Sequence, residues 1–247
     1  MSTAELYLDL LKKSLTNTLY GTEPDADGDQ SLYVREFVHH YIDAPAVSML
    51  PLARMANLQD CVVDVLRRQI PGDLIETGVW RGGACILMRA ILKAHDIRDR
   101  KVYAADSFEG LPPPDPMRYP LDRGSKFHEQ RGFAVSLDEV RRNFEAYGLL
   151  DNQVKFVKGW FRETLPKLTG HMWSVIRLDG DMYQSTMEAL ESLYPDLSTG
   201  GFIIIDDFGA VPGCRQAVLD YRQRHHIREE IHEIDWEAVF WRREASV

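Results

Sequence analysis

The sequence contains few cysteines, and their positions exclude the usual cysteine-based sites. Cys61, Cys85 and Cys214 are the three cysteines among 247 residues, and no two of them form a C-x-x-C pair. Disulfide-rich secreted domains and zinc sites use denser and more regular cysteine patterns. We therefore expect neither a disulfide framework nor a zinc site. We also expect that the protein resides in a reducing compartment.

Positive charge is also in short supply. The chain has 29 Lys and Arg against 38 Asp and Glu, a formal net charge of −9 and a pI near 5.4. A nucleic-acid surface needs clustered Lys and Arg to displace counterions from phosphates. The composition therefore predicts that the protein has no nucleic-acid partner.

Long apolar runs are absent as well. No stretch approaches the roughly 18 apolar residues that cross a membrane, and the N-terminal MSTAELYLDLLKK lacks the basic and apolar regions of a signal peptide. We expect a soluble, cytoplasmic protein with no membrane partner.

The chain does have short apolar runs that alternate with helical patterns. This alternation is typical of βα units on a mostly parallel sheet, in which functional residues lie at the carboxyl ends of the strands. Two late β-like runs, IHEI and AVFWRR, predict a closing antiparallel hairpin. The length fits a single domain over residues 1–247. The strand-like runs before that hairpin are DLIE, KVYAAD, VKFV, WSVIRLD and GFIIID.

The first 70 residues are predicted to form a helical cap on the substrate side, and residues 71–247 the core. Apolar residues recur at three- and four-residue intervals before the first strand and predict one helical face that covers the sheet: Met49, Leu52, Met55, Leu58, Val62 and Val65. Two segments, Gly21 to Gln30 and Glu109 to Ser136, have no clear pattern. A loop as long as the second is usually a lid, a binding loop or disordered.

A glycine-rich turn follows the first predicted strand. The sequence ETGVWRGGAC places Gly78, Gly82 and Gly83 where the chain passes from a strand into a helix. Glycine permits a sharp turn and lets a ligand approach the backbone. The spacing is neither that of the dinucleotide fingerprint nor that of a P-loop, so we expect a ligand without pyrophosphate.

Acidic residues at two strand ends favour an adenosyl ligand with a cationic tail. Asp106 ends the second strand, where a carboxylate can accept hydrogen bonds from both ribose hydroxyls. Glu76, at the tip of the first strand, suits a cationic amino-acid tail. These positions favour S-adenosylmethionine over NAD, although a glycine turn alone occurs in many βα units.

Three further aspartates follow two other strands. Asp179 ends SVIRLD, and Asp206 and Asp207 end GFIIID. Carboxylates brought that close repel one another and raise their pKa values, and a hard cation such as Mg²⁺ relieves the conflict. We therefore predict a magnesium site. The alternative is that these aspartates are ordinary turn and cap residues.

Two residues are candidates for the base that would take a proton from an acceptor hydroxyl. Asp181 lies two residues beyond Asp179, and His128 lies in the long loop. Coordination by Mg²⁺ lowers the pKa of a hydroxyl, and a nearby base completes its activation. His225 and His226, on a late predicted helix, fit surface or capping positions better.

The ordered motifs IETGVWRGGACILMR, AADSFEGLP, VKGWFRETLP, IRLDGDMY and GGFIIIDDF resemble the macrocin O-methyltransferase (TylF) family. The resemblance covers nearly the whole chain. It implies a class I methyltransferase, Rossmann-like fold with a seven-stranded sheet and helices on both faces. It also implies S-adenosylmethionine, Mg²⁺, methylation of a sugar hydroxyl on a glycosylated natural product, as in antibiotic biosynthesis, and a homodimer or higher homo-oligomer.

The same resemblance assigns roles to individual positions. It implies that Asp179, Asp206 and Asp207 hold the metal, that Asp181 is the base and that Asp179 also lies at the cofactor. The methionine end of the cofactor would contact Glu76, Thr77, Gly78, Val79 and Trp80. The ribose would contact Asp106, Ser107 and Phe108, the adenine Ser136, Gly159 and Trp160, and the pocket would be closed by Ser48 and Met49 from the preceding helix.

The sequence departs from the family where the acceptor is expected to bind. Val47 and Ser48 stand where A-H-T-M is common, and FGAVPGCRQ after the aspartate pair is also unusual, which predicts a reshaped acceptor pocket. Two alternatives stay open: an O-methyltransferase for a catechol-like phenol or another small-molecule hydroxyl, and a non-catalytic S-adenosylmethionine-binding protein.

Overall fold

In the computed structural model of the protein, residues 2–21, 23–24 and 38–245 are described. Most of the segment Gly21 to Gln30 lies outside them. The α-helices are α1 (Thr3–Leu15), α2 (Leu52–Arg67), α3 (Gly83–Ala94), α4 (Leu137–Ala146), α5 (Phe161–Thr164), α6 (Tyr183–Leu193) and α7 (Pro212–Arg224). A π-helical turn spans Val38–Ile42.

Seven strands in the described part of the chain form one sheet. They are β1 (Asp73–Thr77), β2 (Val102–Asp106), β3 (Val154–Lys158), β4 (Trp173–Leu178), β5 (Leu197–Ile205), β6 (His232–Glu233) and β7 (Val239–Arg242). Their order is β3-β2-β1-β4-β5-β7-β6. Strands β1 to β5 are parallel, whereas β7 is antiparallel to both β5 and β6. The predicted mostly parallel sheet with a closing C-terminal hairpin is confirmed.

The central strands are buried on both faces, which explains why their sequences are continuous apolar runs. Successive residues point to opposite faces: Val175 packs with α1 to α4, while its neighbour Ile176 packs with α6 and α7. The prediction of helices on both faces of the sheet is therefore confirmed.

The predicted helix before β1 is shorter than the apolar pattern suggested. It begins at Leu52, with the extended residue Pro51 as its N-cap, so Met49 lies outside it. Proline disfavours helical backbone at the residue before it. Met55, Leu58, Val62 and Val65 form the buried face as predicted.

The long segment between β2 and α4 contains three single turns of 3₁₀-helix, at Pro120–Asp122, Phe127–Glu129 and Arg131–Phe133. No helix in the described residues is long and apolar enough to span a membrane.

Candidate active site

The strand order reverses direction between β1 and β4, which are adjacent although β2 and β3 lie between them in the chain. In open α/β sheets, ligands bind at such a point, beyond the carboxyl ends of the strands. A cavity of about 1210 Å³ opens there, and its wall includes residues that follow β1, β2, β4 and β5.

The glycine turn after β1 packs directly against the segment that follows β4. Gly78 has a φ of +80°, and a Cβ added to it would lie 1.6 Å from the Asp179 carbonyl oxygen. Asp179 in turn donates its backbone N–H to the Thr77 carbonyl, at 2.9 Å. No side chain fits at Gly78, so the two predicted sites share a wall.

The segment that carries Ser48 is held on the second half of the same turn. A Cβ at Gly83 would lie 2.4 Å from the Ser48 Cβ, and the Gly83 N–H donates to the Val47 carbonyl at 3.0 Å. The Arg81 guanidinium donates to the carbonyls of Tyr41, Ile42, Ala44 and Ala46 at 2.8–3.1 Å. One arginine therefore fixes the chain before α2 over the glycine turn.

Asp106 lies at the cavity wall, and its carboxylate is oriented by the backbone. Its Oδ2 accepts the Val79 N–H and its Oδ1 accepts the Phe108 N–H, each at 2.6 Å. Burial raises the pKa of Asp106, and these backbone hydrogen bonds oppose that rise. Oδ1 also accepts the Ser107 hydroxyl at 3.3 Å, so Oδ2 is the oxygen with capacity left to accept a hydroxyl group.

Glu76 also lines the cavity, but its carboxylate is not free. Oε1 accepts from Arg177 Nη1 at 2.7 Å, and Oε2 accepts from Cys85 Sγ at 3.0 Å. Burial raises the pKa of Glu76, and Arg177 opposes that rise. Glu76 therefore reaches the cavity wall as predicted for a contact with a cationic tail, and it also pairs with an internal guanidinium.

The three predicted metal aspartates lie together. One carboxylate oxygen from each of Asp179, Asp206 and Asp207 lies within 4.8 Å of the others. The two strands that precede them are adjacent and in register, with Leu178 opposite Ile205. The convergence is thus a direct result of parallel pairing.

Arg177 connects this cluster to Glu76. Its side chain lies in the middle of the sheet and is 1% exposed. Nη1 donates to Asp179 Oδ2 at 2.8 Å, and Nη2 donates to Asp206 Oδ1. Sequence reasoning missed Arg177, although a charged residue inside the apolar strand WSVIRL was a signal for a buried ion pair.

Arg54, near the start of α2, holds the other side of the cluster. Its guanidinium donates to Asp206 Oδ2 at 3.0 Å, to Asp235 Oδ2 at 2.6 Å and to Glu237 Oε2. No local pattern marked these long-range partners.

Negative charge is still in excess in the cluster. Burial and the charge of Asp206 raise the pKa of Asp179, while Arg177 opposes that rise. Burial and the charges of Asp181 and Asp179 raise the pKa of Asp207. For Asp181, burial together with Asp206 and Glu237 raises the pKa to about 7. Neither Asp181 nor Asp207 has a salt bridge within the described residues.

Asp181 lines the cavity in an uncommon backbone conformation. Its φ is +56°, and its N–H donates to Asp207 Oδ2 at 3.0 Å. The backbone turn that follows β4 thereby brings Asp181 beside the carboxylate cluster.

The structure brings most of the predicted site residues to the cavity and leaves others away from it. The wall contains Ser48, Met49, Glu76, Gly78, Val79, Trp80, Asp106, Ser107, Trp160, Asp179, Asp181, Asp206 and Asp207. Residues outside the wall are Thr77, Phe108, His128, Ser136 and Gly159.

Each residue outside the wall has another environment. Ser136 is the N-cap of α4, and its hydroxyl accepts the Glu139 N–H at 3.2 Å; the S-x-x-E spacing was a signal for that cap. Phe108 packs edge-to-face on Phe156. His128 lies 3.9 Å from Glu129. His225 and His226 lie just beyond the end of α7, not on it.

Thr77 and Gly159 end or follow strands at this edge without facing the cavity. The Thr77 hydroxyl is buried and has no hydrogen-bond partner within the described residues. Gly159 has a φ of +137° and donates its N–H to the Asp106 carbonyl at 2.9 Å.

The long segment after β2 forms a further wall of the cavity, and two contacts hold it. Asp122 accepts the N–H groups of Tyr183 and Gln184 at 2.8 and 2.9 Å, and so caps α6 from outside the helix. Trp80 Nε1 donates to the Gly132 carbonyl at 2.8 Å. The segment predicted as a lid or binding loop is thus packed at both its middle and its end.

Comparison with known proteins identifies the family. A sequence profile described as Macrocin-O-methyltransferase (TylF) matches residues 39–243. The chain belongs to the macrocin O-methyltransferase family. The predicted resemblance is confirmed, and the chain is an O-methyltransferase rather than a non-catalytic binding protein.

Two characterised relatives of this O-methyltransferase align along nearly its whole length. The 8-demethyl-8-(2,3-dimethoxy-alpha-L-rhamnosyl)-tetracenomycin-C 4'-O-methyltransferase of Streptomyces olivaceus is 50% identical, over 98% of this chain and 94% of the relative. The mycinamicin III 3''-O-methyltransferase of Micromonospora griseorubida is 47% identical, over 98% of this chain and 97% of the relative.

The solved structure of the O-methyltransferase NovP superposes with a TM-score of 0.88 at 43% identity, covering 98% of this chain and 100% of that one. The calicheamicin methyltransferase CalS11, at 21% identity and a TM-score of 0.63, shares the fold. The class I methyltransferase fold is confirmed, and it implies S-adenosylmethionine as methyl donor.

Proposed function

We propose that this O-methyltransferase transfers a methyl group from S-adenosylmethionine to a sugar hydroxyl of a glycosylated natural product, with Mg²⁺ bound by Asp179, Asp206 and Asp207. One observation carries the proposal: the glycine turn and Asp106 share one cavity with three carboxylates whose oxygens lie within 4.8 Å of one another. A methyl donor and a hard cation would then meet at the same acceptor oxygen. The relatives named for tetracenomycin and mycinamicin substrates support a glycoside as acceptor.

The residues after β1 and β2 fit the methyl donor. Gly78 lies in the cavity wall, where its lack of a side chain lets the turn pack against Asp179, and the oriented Asp106 carboxylate can accept a ribose hydroxyl. Trp80, Ser107 and Trp160 complete this part of the wall. We propose these residues, with Ser48, Met49, Glu76 and Val79, as the cofactor contacts. S-adenosylmethionine, when bound, supplies the electrophilic methyl group.

The donor set of the aspartate cluster fits Mg²⁺. All three candidate ligands are carboxylates, which suit hard cations rather than zinc or copper. Arg177 and Arg54 neutralise Asp206 from two sides, whereas Asp207 has no cationic partner within the described residues. A bound Mg²⁺ would supply a Lewis acid that lowers the pKa of a coordinated hydroxyl.

The protein's own groups then orient and deprotonate the acceptor. We propose Asp181 as the base because it lines the cavity next to the cluster and its carboxylate forms no hydrogen bond within the described residues. Its fixed backbone, bonded to Asp207, holds that carboxylate at the acceptor side. Arg177 keeps Asp179 and Asp206 aligned through paired hydrogen bonds. The positioning of the acceptor and the charges around it would together lower the activation free energy of methyl transfer.

Methyl transfer to a panel of acceptors tests this proposal. The panel contains the glycosides named for the relatives, with a catechol as the contrasting acceptor, and products are detected by mass spectrometry. We expect a mass gain of one methyl group on at least one glycoside, dependent on Mg²⁺ and abolished by EDTA. Methylation of the catechol alone would contradict the proposal and favour a phenol acceptor.

We also propose that the protein acts as a homodimer or higher homo-oligomer in the cytoplasm. Leu6 and Leu10 of α1 are 58% and 55% exposed on one helix face, and contiguous exposed apolar residues often mark subunit contacts. Light scattering after gel filtration measures the mass, and a value near 28.4 kDa would contradict the oligomer.

A further inference from the structure

An exposed tryptophan stands at the cavity beside the carboxylate cluster. Trp236 lines the cavity and is 50% exposed. Within the described residues its indole has no hydrogen-bond donor or acceptor partner and no ring partner. A large aromatic side chain that is exposed and unpartnered at a cavity wall offers an apolar surface to a ligand.

The loop that carries Trp236 is held firmly on both sides of it. Asp235 and Glu237 both receive hydrogen bonds from the buried Arg54. Asp235 Oδ1 also accepts the N–H groups of Glu237 and Ala238, at 2.9 and 2.8 Å. The indole between these anchored carboxylates is therefore presented on a rigid support, which reduces the entropy lost when a ligand binds.

The opposite side of the loop is packed against the segment after β5. The Gly209 N–H donates to the Glu237 carbonyl at 2.6 Å, and a Cβ at Gly209 would lie 1.9 Å from the Trp236 carbonyl oxygen. Arg54 also donates to Asp206 at 3.0 Å. Arg54 therefore links Asp206 of the proposed metal site to Glu237, the residue that follows Trp236. Through these contacts the backbone of Trp236 is fixed relative to the proposed metal site.

We infer that Trp236 is the platform on which the acceptor's sugar ring lies, with the apolar C–H face of the ring packed on the indole. This inference rests on the proposed function. A pyranose has one such face and a polar rim, and polar side chains elsewhere on the cavity wall, Gln184 and Glu188 among them, can bond that rim. The platform sets which ring face is presented and therefore which hydroxyl reaches the cluster.

Acceptor kinetics of Trp236→Ala and Trp236→Phe test the inference, with Tyr20→Ala as control because Tyr20 is 97% exposed and not part of the cavity wall. The acceptor is the relative's 8-demethyl-8-(2,3-dimethoxy-α-L-rhamnosyl)-tetracenomycin C or, if another glycoside of the panel is methylated instead, that glycoside. The corresponding simple methyl glycoside, which lacks the aglycone, serves as a competitive inhibitor. Thermal unfolding checks that each variant is folded.

We expect Trp236→Ala to raise the acceptor KM and the inhibitor Ki about tenfold, Trp236→Phe to raise them less than threefold, and Tyr20→Ala to leave both unchanged. The Kd of S-adenosylhomocysteine should stay within twofold throughout. A wild-type enzyme that methylates the glycoside, with the same KM in Trp236→Ala, would overturn the inference and leave the proposed function intact.

Two further results would also overturn it. A raised KM with an unchanged Ki, or no inhibition by the simple glycoside, would mean that the indole contacts the aglycone. Failure of the wild type to methylate any glycoside of the panel would overturn the proposed function itself, and with it the inference.

Discussion

Arg177 sets the charge balance at the centre of the site. Its guanidinium, which belongs to β4, forms ion pairs with the carboxylates of Glu76, Asp179 and Asp206. Breaking a buried ion pair leaves an uncompensated charge, which costs several kcal/mol. The carboxylates that Arg177 does not reach, Asp181 and Asp207, are those for which a further cation or a proton is needed.

Asp181→Asn removes the proposed base while it keeps the shape of the side chain. We expect kcat for the glycoside to fall by about 10²- to 10⁴-fold, the range typical of general base catalysis. The Kd of S-adenosylhomocysteine should change little, because Asp181 is proposed to act on the acceptor and is not among the proposed cofactor contacts. Asp138→Asn, on the exposed side of α4, is the control. Unchanged turnover in Asp181→Asn would exclude this residue as the base.

At the scale of elements, the strands could be predicted from the sequence because the central strands are buried on both faces and appear as apolar runs. The ends of those runs also predicted that Asp179, Asp206 and Asp207 would converge, since parallel strands deliver their carboxyl ends to one edge. The start of α2 was misplaced at Met49, although Pro51 was available as a signal.

The long-range contacts could not be read in the same way. Arg81 bonds carbonyls that lie 35–40 positions away in the chain, and Asp122 caps a helix 61 positions away. Such contacts depend on the tertiary arrangement and leave no local period. Sequence reasoning therefore predicted which strand ends line the cavity but not the residues that hold its walls.

Asp122→Ala tests how the long segment is attached to α6. Loss of a cap that serves two backbone N–H groups should lower the free energy of unfolding by about 1–2 kcal/mol. The segment should also become more sensitive to trypsin at the exposed Arg123 and Lys126. In the control, Asp115→Ala, the lost hydrogen bonds are local to Met117 and Arg118. Equal trypsin rates in the wild type and Asp122→Ala would contradict this role.

Asp64 connects α2 to the antiparallel strand β7. Its ion pairs lead us to expect that the stability of the fold falls at acid pH. Its side chain is 14% exposed and pairs with Arg242, Arg67 and Arg68. Burial opposes ionisation of Asp64, but the hydrogen bonds from these arginines outweigh it and lower its pKa from 3.8 to about 2. Because the folded-state pKa is depressed, the stabilisation is present above pH 4 and is lost as the pH falls towards 2.

Asp64→Asn should therefore lower the free energy of unfolding by about 2 kcal/mol at pH 7. The difference from the wild type should shrink below pH 4 and vanish only below about pH 2, the folded-state pKa. Denaturant unfolding across this pH range measures it, with Asp9→Asn on the exposed side of α1 as control. A difference that does not depend on pH would show that Asp64 stabilises the fold through packing alone.

On the scale of the whole molecule, a group of acidic residues lies together where function is proposed. Asp179, Asp181, Asp206, Asp207 and Glu237 share one cavity wall, and Arg54 and Arg177 are the guanidinium groups that bond to this cluster within the described residues. Burying that many carboxylates together is unfavourable unless a cation joins them. The cavity geometry supports the proposed account, in which a hard metal ion and the methyl donor act on the same acceptor oxygen.

The most direct test of this account is an anomalous difference map from crystals grown with S-adenosylhomocysteine and Mn²⁺ in place of Mg²⁺. We expect a single strong peak bonded to carboxylate oxygens of Asp179, Asp206 and Asp207, beside the bound cofactor product, and no such peak in Asp207→Asn. A map with no peak among these three aspartates, or with the metal bound elsewhere in the cavity, would contradict it.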